Sequence, residues 1–149
     1  MALTYGFLNS KDLFQKLKRD ANALEKECTS DNFFNFVVTA YHLCDWIKKD
    51  PSCPQSSKND VSYVRQRTCI RVCRDIANAS KHFRLNYTPI VAKTESKRGY
   101  GHGRYEHGGY NKGEEKIYIE LADGTKCDAL SLYREVIDFW ERFFKEHNI

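Results

Sequence analysis

Arg74, Asn78 and His82 follow one another at four-residue steps in the stretch RDIANASKH, and on a helix that spacing brings their side chains to one face. Arg71 and Asp75 extend the same polar group. Two arginines are able to hold a phosphate through their forked N–H donors, a histidine exchanges a proton near neutral pH, and an amide orients either partner. These are the parts of a metal-independent ribonuclease, with Arg74 on the phosphate, His82 as acid/base and Asn78 as the orienting group. The same residues also suit a plainer role, as a polar seam to a partner or as an ion-paired network built on Asp75.

The element that must carry them reads as one helix from Val61 to Phe83. At 100° per residue, Cys69, Val72, Cys73, Ile76, Ala79 and Phe83 share one arc, and Arg67, Arg71, Arg74, Asp75, Asn78, Lys81 and His82 share the opposite one. The first arc is expected to pack and the second to meet solvent or a ligand. From Lys58 to Arg84 there are seven Lys or Arg against Asp60 and Asp75, a local charge of +5 in a chain whose total is +4. A basic face this concentrated favours phosphate, RNA or an acidic protein surface. Arg67, Arg71 and Lys81 are its expected contact residues.

Two further helices precede this one. Asn9 or Ser10 caps a helix running to about Glu27, with Phe14, Leu17, Ala21, Leu24 and Cys28 at alternating steps of three and four. Thr29, Ser30 or Asp31 starts the next, where apolar residues from Phe33 to Ile47 cover most of the circumference, so it belongs at the centre of the core. A thin polar line of Asn35, Thr39 and His42, continued by Trp46, is expected to face the polar stripe of the third helix and to bring His42 near His82. Asp50-Pro51 ends that helix, and Asn59 or Asp60 is expected to cap the third.

Beyond Phe83 the pattern changes. Leu85, Tyr87, Ile90 and Val91 favour an extended edge strand, Lys116 to Leu121 alternates as a second strand, and Asp123-Gly124 makes a tight turn towards Lys126-Cys127. Between the strands, about 96–114, lies a segment holding six of the eight glycines, expected as a long mobile loop. Its Arg98, Tyr100, Arg104 and Tyr105 suit stacking on bases and contact with phosphates, or gripping a protein, although a plain hairpin tip explains them as well. Asp128 caps a last helix with a broad aromatic stripe from Leu132 to Phe144.

The expected fold class is therefore mainly α: a four-helix bundle with a small antiparallel β-hairpin inserted before the last helix, in one domain spanning 1–149. With 149 residues and 41% hydrophobic content the chain buries one ordinary core. The longest apolar run, near Phe36 to Ala40, is too short to cross a bilayer, and the first residues lack the basic and apolar blocks of a secretion signal. A cytoplasmic protein with reduced thiols follows as the expectation. Of the six cysteines, Cys28, Cys44, Cys69 and Cys73 fall at apolar positions of helices and Cys53 in a loop, where it is the expected reactive thiol. No ligand spacing points to a metal, and no phosphate loop or other motif points to a small-molecule cofactor.

The residues RDIANASKH, inside a compact helical bundle with a polar His42, resemble the prokaryotic HEPN superfamily, whose members include ribonuclease toxins and defence proteins. The resemblance covers mainly residues 30–84. Enzymes of that superfamily typically pair an arginine, often followed by a polar residue such as Asn or Asp, with a histidine four to six residues further along; here Asp75 follows Arg74, but seven residues separate Arg74 from His82, a departure from that spacing. The resemblance implies a small protein of a bacterial or phage conflict system, in toxin-antitoxin, immunity or defence. Such a protein would bind a toxin, a nuclease or RNA, or cleave RNA itself. It also implies a homodimer, in which two such motifs meet.

Overall fold

The computed structural model describes residues 5–98 and 115–149. Among them are five helices, α1 (Ser10–Lys26), α2 (Ser30–Lys49), α3 (Gln55–Val64), α4 (Thr68–His82) and α5 (Ala129–Glu146), and three strands, β1 (Val91–Arg98), β2 (Glu115–Leu121) and β3 (Lys126–Asp128). The chain is mainly helical, with a small antiparallel sheet ahead of the last helix, as its patterning implies.

Three helices start at the caps that the sequence offers. Asn9 Oδ1 accepts from the Asp12 N–H at 2.9 Å, Thr29 Oγ1 from the Asn32 N–H at 3.1 Å, and Asp128 Oδ1 from the Ser131 N–H at 2.8 Å. Each bond satisfies a first-turn donor that the helix itself leaves unpaired. α2 is the central element: Phe36, Val37, Ala40, Leu43, Cys44 and Ile47 are fully buried, and α1, α3, α4 and α5 all pack against it. α5 closes the core with Trp140, which meets Phe143 edge-on at 5.3 Å, while Phe144 meets Phe14 of α1 at 4.4 Å.

The expected continuous helix from Val61 to Phe83 is corrected: the chain breaks at residues 65–67, and Arg67 takes an extended conformation before α4. The reason lies in the phase of the apolar residues. Val61 and Ile70 are both buried, yet at nine residues apart they point to opposite sides of a straight helix. Breaking the helix lets α3 bury Val61 and Val64 while α4 buries Cys69, Ile70, Val72 and Cys73. The break also aims Arg65 at the Asp45 carboxylate of α2 and lays Arg67 over the Phe139 ring at 4.9 Å.

The sheet has the order β1-β2-β3, with both pairs antiparallel. Ile117, Ile119 and Leu121 of β2 point into the core, whereas Tyr118 points outward. Gly124 takes φ 89° in the turn to β3, a left-handed conformation that favours glycine, and the Asp123 carboxylate accepts from the Thr125 N–H at 2.9 Å. The first strand begins at Val91 rather than near Leu85, and it runs through 96–98, which the sequence placed in the loop. Tyr100, Arg104, Tyr105 and the rest of that expected loop beyond 98 lie outside the described residues.

Two buried carboxylates fasten these pieces together. Glu115, 3% exposed, accepts from the Ser30 N–H at 3.0 Å, Ser30 Oγ at 2.6 Å, Arg98 at 2.9 Å and the Ser96 hydroxyl, which joins the sheet to the first turn of α2. Asp50 accepts from the Ser10 N–H at 2.6 Å and from the Ser52 N–H at 2.8 Å, which joins the end of α2 to the start of α1. Burial by itself would raise both acids, but the donors around them outweigh it and hold each at about 2.

Candidate functional site

The polar group on α4 is organised by Asp75. The helical wheel placed this residue with the solvent-facing cations, but it is 2% exposed. It lies three residues beyond buried Val72 and so shares that inner stripe. Burial of a carboxylate is tolerated where donors surround it. Here Arg74 donates from Nε at 3.0 Å and from Nη2 at 2.8 Å, the Tyr87 hydroxyl at 3.0 Å, and the Ile90 and Val91 N–H groups at 2.7 and 3.1 Å. These bonds draw residues 84–91 back along α4 and set the starting point of β1.

The reversal occurs at Phe83. Its φ is 62° and ψ −47°, and the Arg84 N–H reaches the His82 carbonyl at 2.6 Å. This three-residue turn is the strained form of the γ-turn. The sequence assigned Phe83 to the packing arc; instead it is 89% exposed, because the helix has ended and its side chain leaves the bundle.

Between α4 and the returning chain lies a recess of about 240 Å³, lined by Asn78, His82, Arg84, Leu85, Asn86 and Tyr87. Asn78 Nδ2 donates to the Tyr87 hydroxyl at 3.1 Å, and the Arg74 guanidinium stacks on the Tyr87 ring at 4.8 Å. The structure thus brings Asn78 and His82 together, whereas Arg74 is held against Asp75 and Tyr87. His82 stands eight positions after Arg74, about 12 Å along the helix axis at 1.5 Å per residue. Within one chain the two do not converge on a single phosphate.

Of the other cations, Arg71 is half-buried, Lys81 and Arg84 are exposed, and none of the three has a carboxylate partner among the described residues. Arg67 stacks on Phe139, and Arg98 pairs with Glu115 on the sheet. His42 lies on α2 within electrostatic reach of Lys81, the neighbour of His82 in the chain. Thr39, in the polar line of α2, donates to Asp20 of α1 at 2.8 Å and accepts from Lys16 at 2.9 Å, so α1 engages the line at Thr39. His42 borders a separate recess of about 450 Å³, with Phe7, Leu8, Asp45, Trp46 and Lys49. Partial burial lowers its pKa; Asp45 opposes this, and the Lys81 and Lys16 ammonium groups add to it.

Tyr87, Arg84 and Phe83 join the site although the pattern of the sequence places Tyr87 in a strand and Phe83 in the core. Their signal was the charged, Asn- and Pro-containing run after His82, where the helical pattern stops. The pattern of the sequence also misses the joint at the end of α5. There His147, 10% exposed, meets Ser56 Oγ through Nδ1 at 3.0 Å and Asp60 Oδ2 through Nε2 at 3.1 Å, with Phe143 at 4.5 Å from the ring. Ser56 and Asp60 lie one turn apart on α3, so the histidine pins the end of α5 to that helix.

All six cysteines are free thiols; Cys53 is buried, and Cys127 alone is half-buried. The described residues hold no group of His, Cys, Asp and Glu able to bind a metal ion, and no helix among them is long and apolar enough to cross a membrane.

Comparison with known proteins adds little to this geometry. No family model matches the chain, and no solved structure matches it. Over 103 residues it is 26% identical to a tRNA N6-adenosine threonylcarbamoyltransferase of Phocaeicola vulgatus, a match that takes in 66% of this chain. The chain spans about 30% of the length of that protein.

Proposed function

We propose that the chain is a small cytoplasmic HEPN-like protein of a bacterial or phage conflict system that works by binding an anionic partner, RNA foremost, at the C-terminal end of α4. The observation that carries this reading is the recess beside His82. His82 and Arg84 line it and are exposed, Lys81 is exposed next to His82 in the chain, and neither Lys81 nor Arg84 has a carboxylate partner among the described residues. Unneutralised cations around a concave, hydrogen-bonding wall favour a phosphate-bearing ligand. The helical bundle is compatible with the HEPN resemblance, and the partial similarity to an enzyme named for tRNA makes tRNA a natural first probe.

Binding is favoured over cleavage because Arg74 is occupied by Asp75 and stands about two helical turns from His82. Fluorescence anisotropy with labelled tRNA and short RNA, with and without the paired change Lys81→Glu and Arg84→Glu, tests the proposal. Retained binding in that variant would count against it. RNA cleavage in EDTA that disappears in His82→Ala would restore the ribonuclease reading.

A further inference from the structure

Phe83 combines two features that the fold does not explain. A non-glycine residue at φ 62° in a γ-turn is strained, and a phenylalanine that is 89% exposed contributes almost no burial in return. Glycine or asparagine would occupy the position with less strain. Strain held without a packing benefit is a mark of functional positions. The neighbours supply the context: Lys81, His82 and Arg84 are all exposed, and the recess lined by Asn78, His82, Arg84 and Tyr87 opens beside the turn.

We propose that Phe83 is the base-stacking anchor of this site, on which an unpaired nucleobase lies while Lys81 and Arg84 meet the flanking phosphates. The inference rests on the RNA-binding reading and deepens it, by naming the residue that selects single strands. In a duplex the base faces are already covered by their neighbours, so an exposed ring has nothing to stack on; in a single strand they are free. The γ-turn serves this role because it turns the ring away from the bundle at the point where the helix ends. An acidic protein surface would be served by the cations alone and gives no reason for the ring.

Equilibrium binding of the full chain to a labelled oligouridine of about 12 nucleotides, to a duplex RNA of the same length and to polyglutamate tests the inference. The single strand is expected to bind more tightly than either competitor. Phe83→Leu and Phe83→Gly are expected to weaken it by about 5- to 100-fold, and Phe83→Trp to hold it near the wild-type value. Phe83→Gly is also expected to unfold at a temperature no lower than wild type, which separates lost stacking from lost folding. Wild-type affinity in both Phe83→Leu and Phe83→Gly, alongside loss in Lys81→Glu/Arg84→Glu, would overturn the anchor and leave the RNA-binding reading standing. Equal affinity for duplex and single strand would also overturn it. Preference for polyglutamate, or no binding of any RNA by the wild type, would remove both.

Discussion

The Tyr87 hydroxyl donates to the buried Asp75 carboxylate at 3.0 Å and accepts from the Asn78 amide at 3.1 Å. One side chain of the returning chain is thereby locked to two positions of α4, and the recess takes its shape from that lock. Asp75→Asn replaces an acceptor-only group with one that turns an N–H towards existing donors. Leaving buried partners unpaired in this way costs about 3–5 kcal/mol, to be measured by urea unfolding. Tyr87→Phe removes one hydroxyl and is expected to cost about 1–2 kcal/mol.

Acid is expected to loosen the same molecule at its two other carboxylate joints. Glu115 and Asp50 have ordinary values of 4.5 and 3.8 and are held at about 2 in the fold. With the folded value below the unfolded one, their stabilisation is complete above about pH 4.5 and is lost as pH falls towards 2. The loss amounts to about 3 kcal/mol for Glu115 and about 2 kcal/mol for Asp50. Stability measured across pH 6 to 2 should fall steeply in the wild type and more gently in Glu115→Gln.

Thiol labelling gives an independent check on the core. Burial pushes the Cys44 thiol up to about 12 and Cys69 up to about 11, and raises Cys73 as well. Cys53, expected from sequence to be reactive, is 5% exposed, close to Asp50, and also raised by burial. Iodoacetamide at about pH 8 is therefore expected to modify Cys127 first. Mass spectrometry showing early modification of Cys53 would contradict the packing at the end of α2.

The middle of α4, at Arg74, and its C-terminal end should separate stability from binding. Arg74→Ala removes a partner of buried Asp75 and is expected to lower stability by about 3 kcal/mol or more. His82→Ala and Arg84→Ala touch exposed groups, should change stability by less than about 0.5 kcal/mol, and should weaken RNA binding. Urea curves and anisotropy titrations on the same preparations compare the two effects.

The helical class, the central place of α2, the caps at Asn9, Thr29 and Asp128, and the turn at Gly124 were all legible, because they rest on local periodicity and capping chemistry. The break at residues 65–67 is legible only in the phase of the apolar residues, because Val61 and Ile70 fall on opposite sides of one straight helix. The inward turn of Asp75 was not legible, since an acid at the edge of an apolar stripe reads as solvated until Tyr87, Ile90 and Val91 supply its donors. The same holds for the recess, which depends on a chain reversal at a phenylalanine, a residue type that ordinarily gives no turn signal. Spacing placed Arg74, Asn78 and His82 on one face, but it could not show that Asp75 turns Arg74 aside.

The most direct measurement is the salt dependence of RNA affinity in the wild type and in Lys81→Glu/Arg84→Glu, with Lys26→Glu/Lys145→Glu as a control of equal charge change on other helices. Binding at the end of α4 predicts a log–log slope of about −1.4 in the wild type, from two phosphate contacts, at Lys81 and Arg84, of about −0.7 each. It further predicts near-complete loss in the α4 variant and only a modest change in the control. Equal losses in the two variants, or a slope near zero, would contradict a dedicated site beside His82.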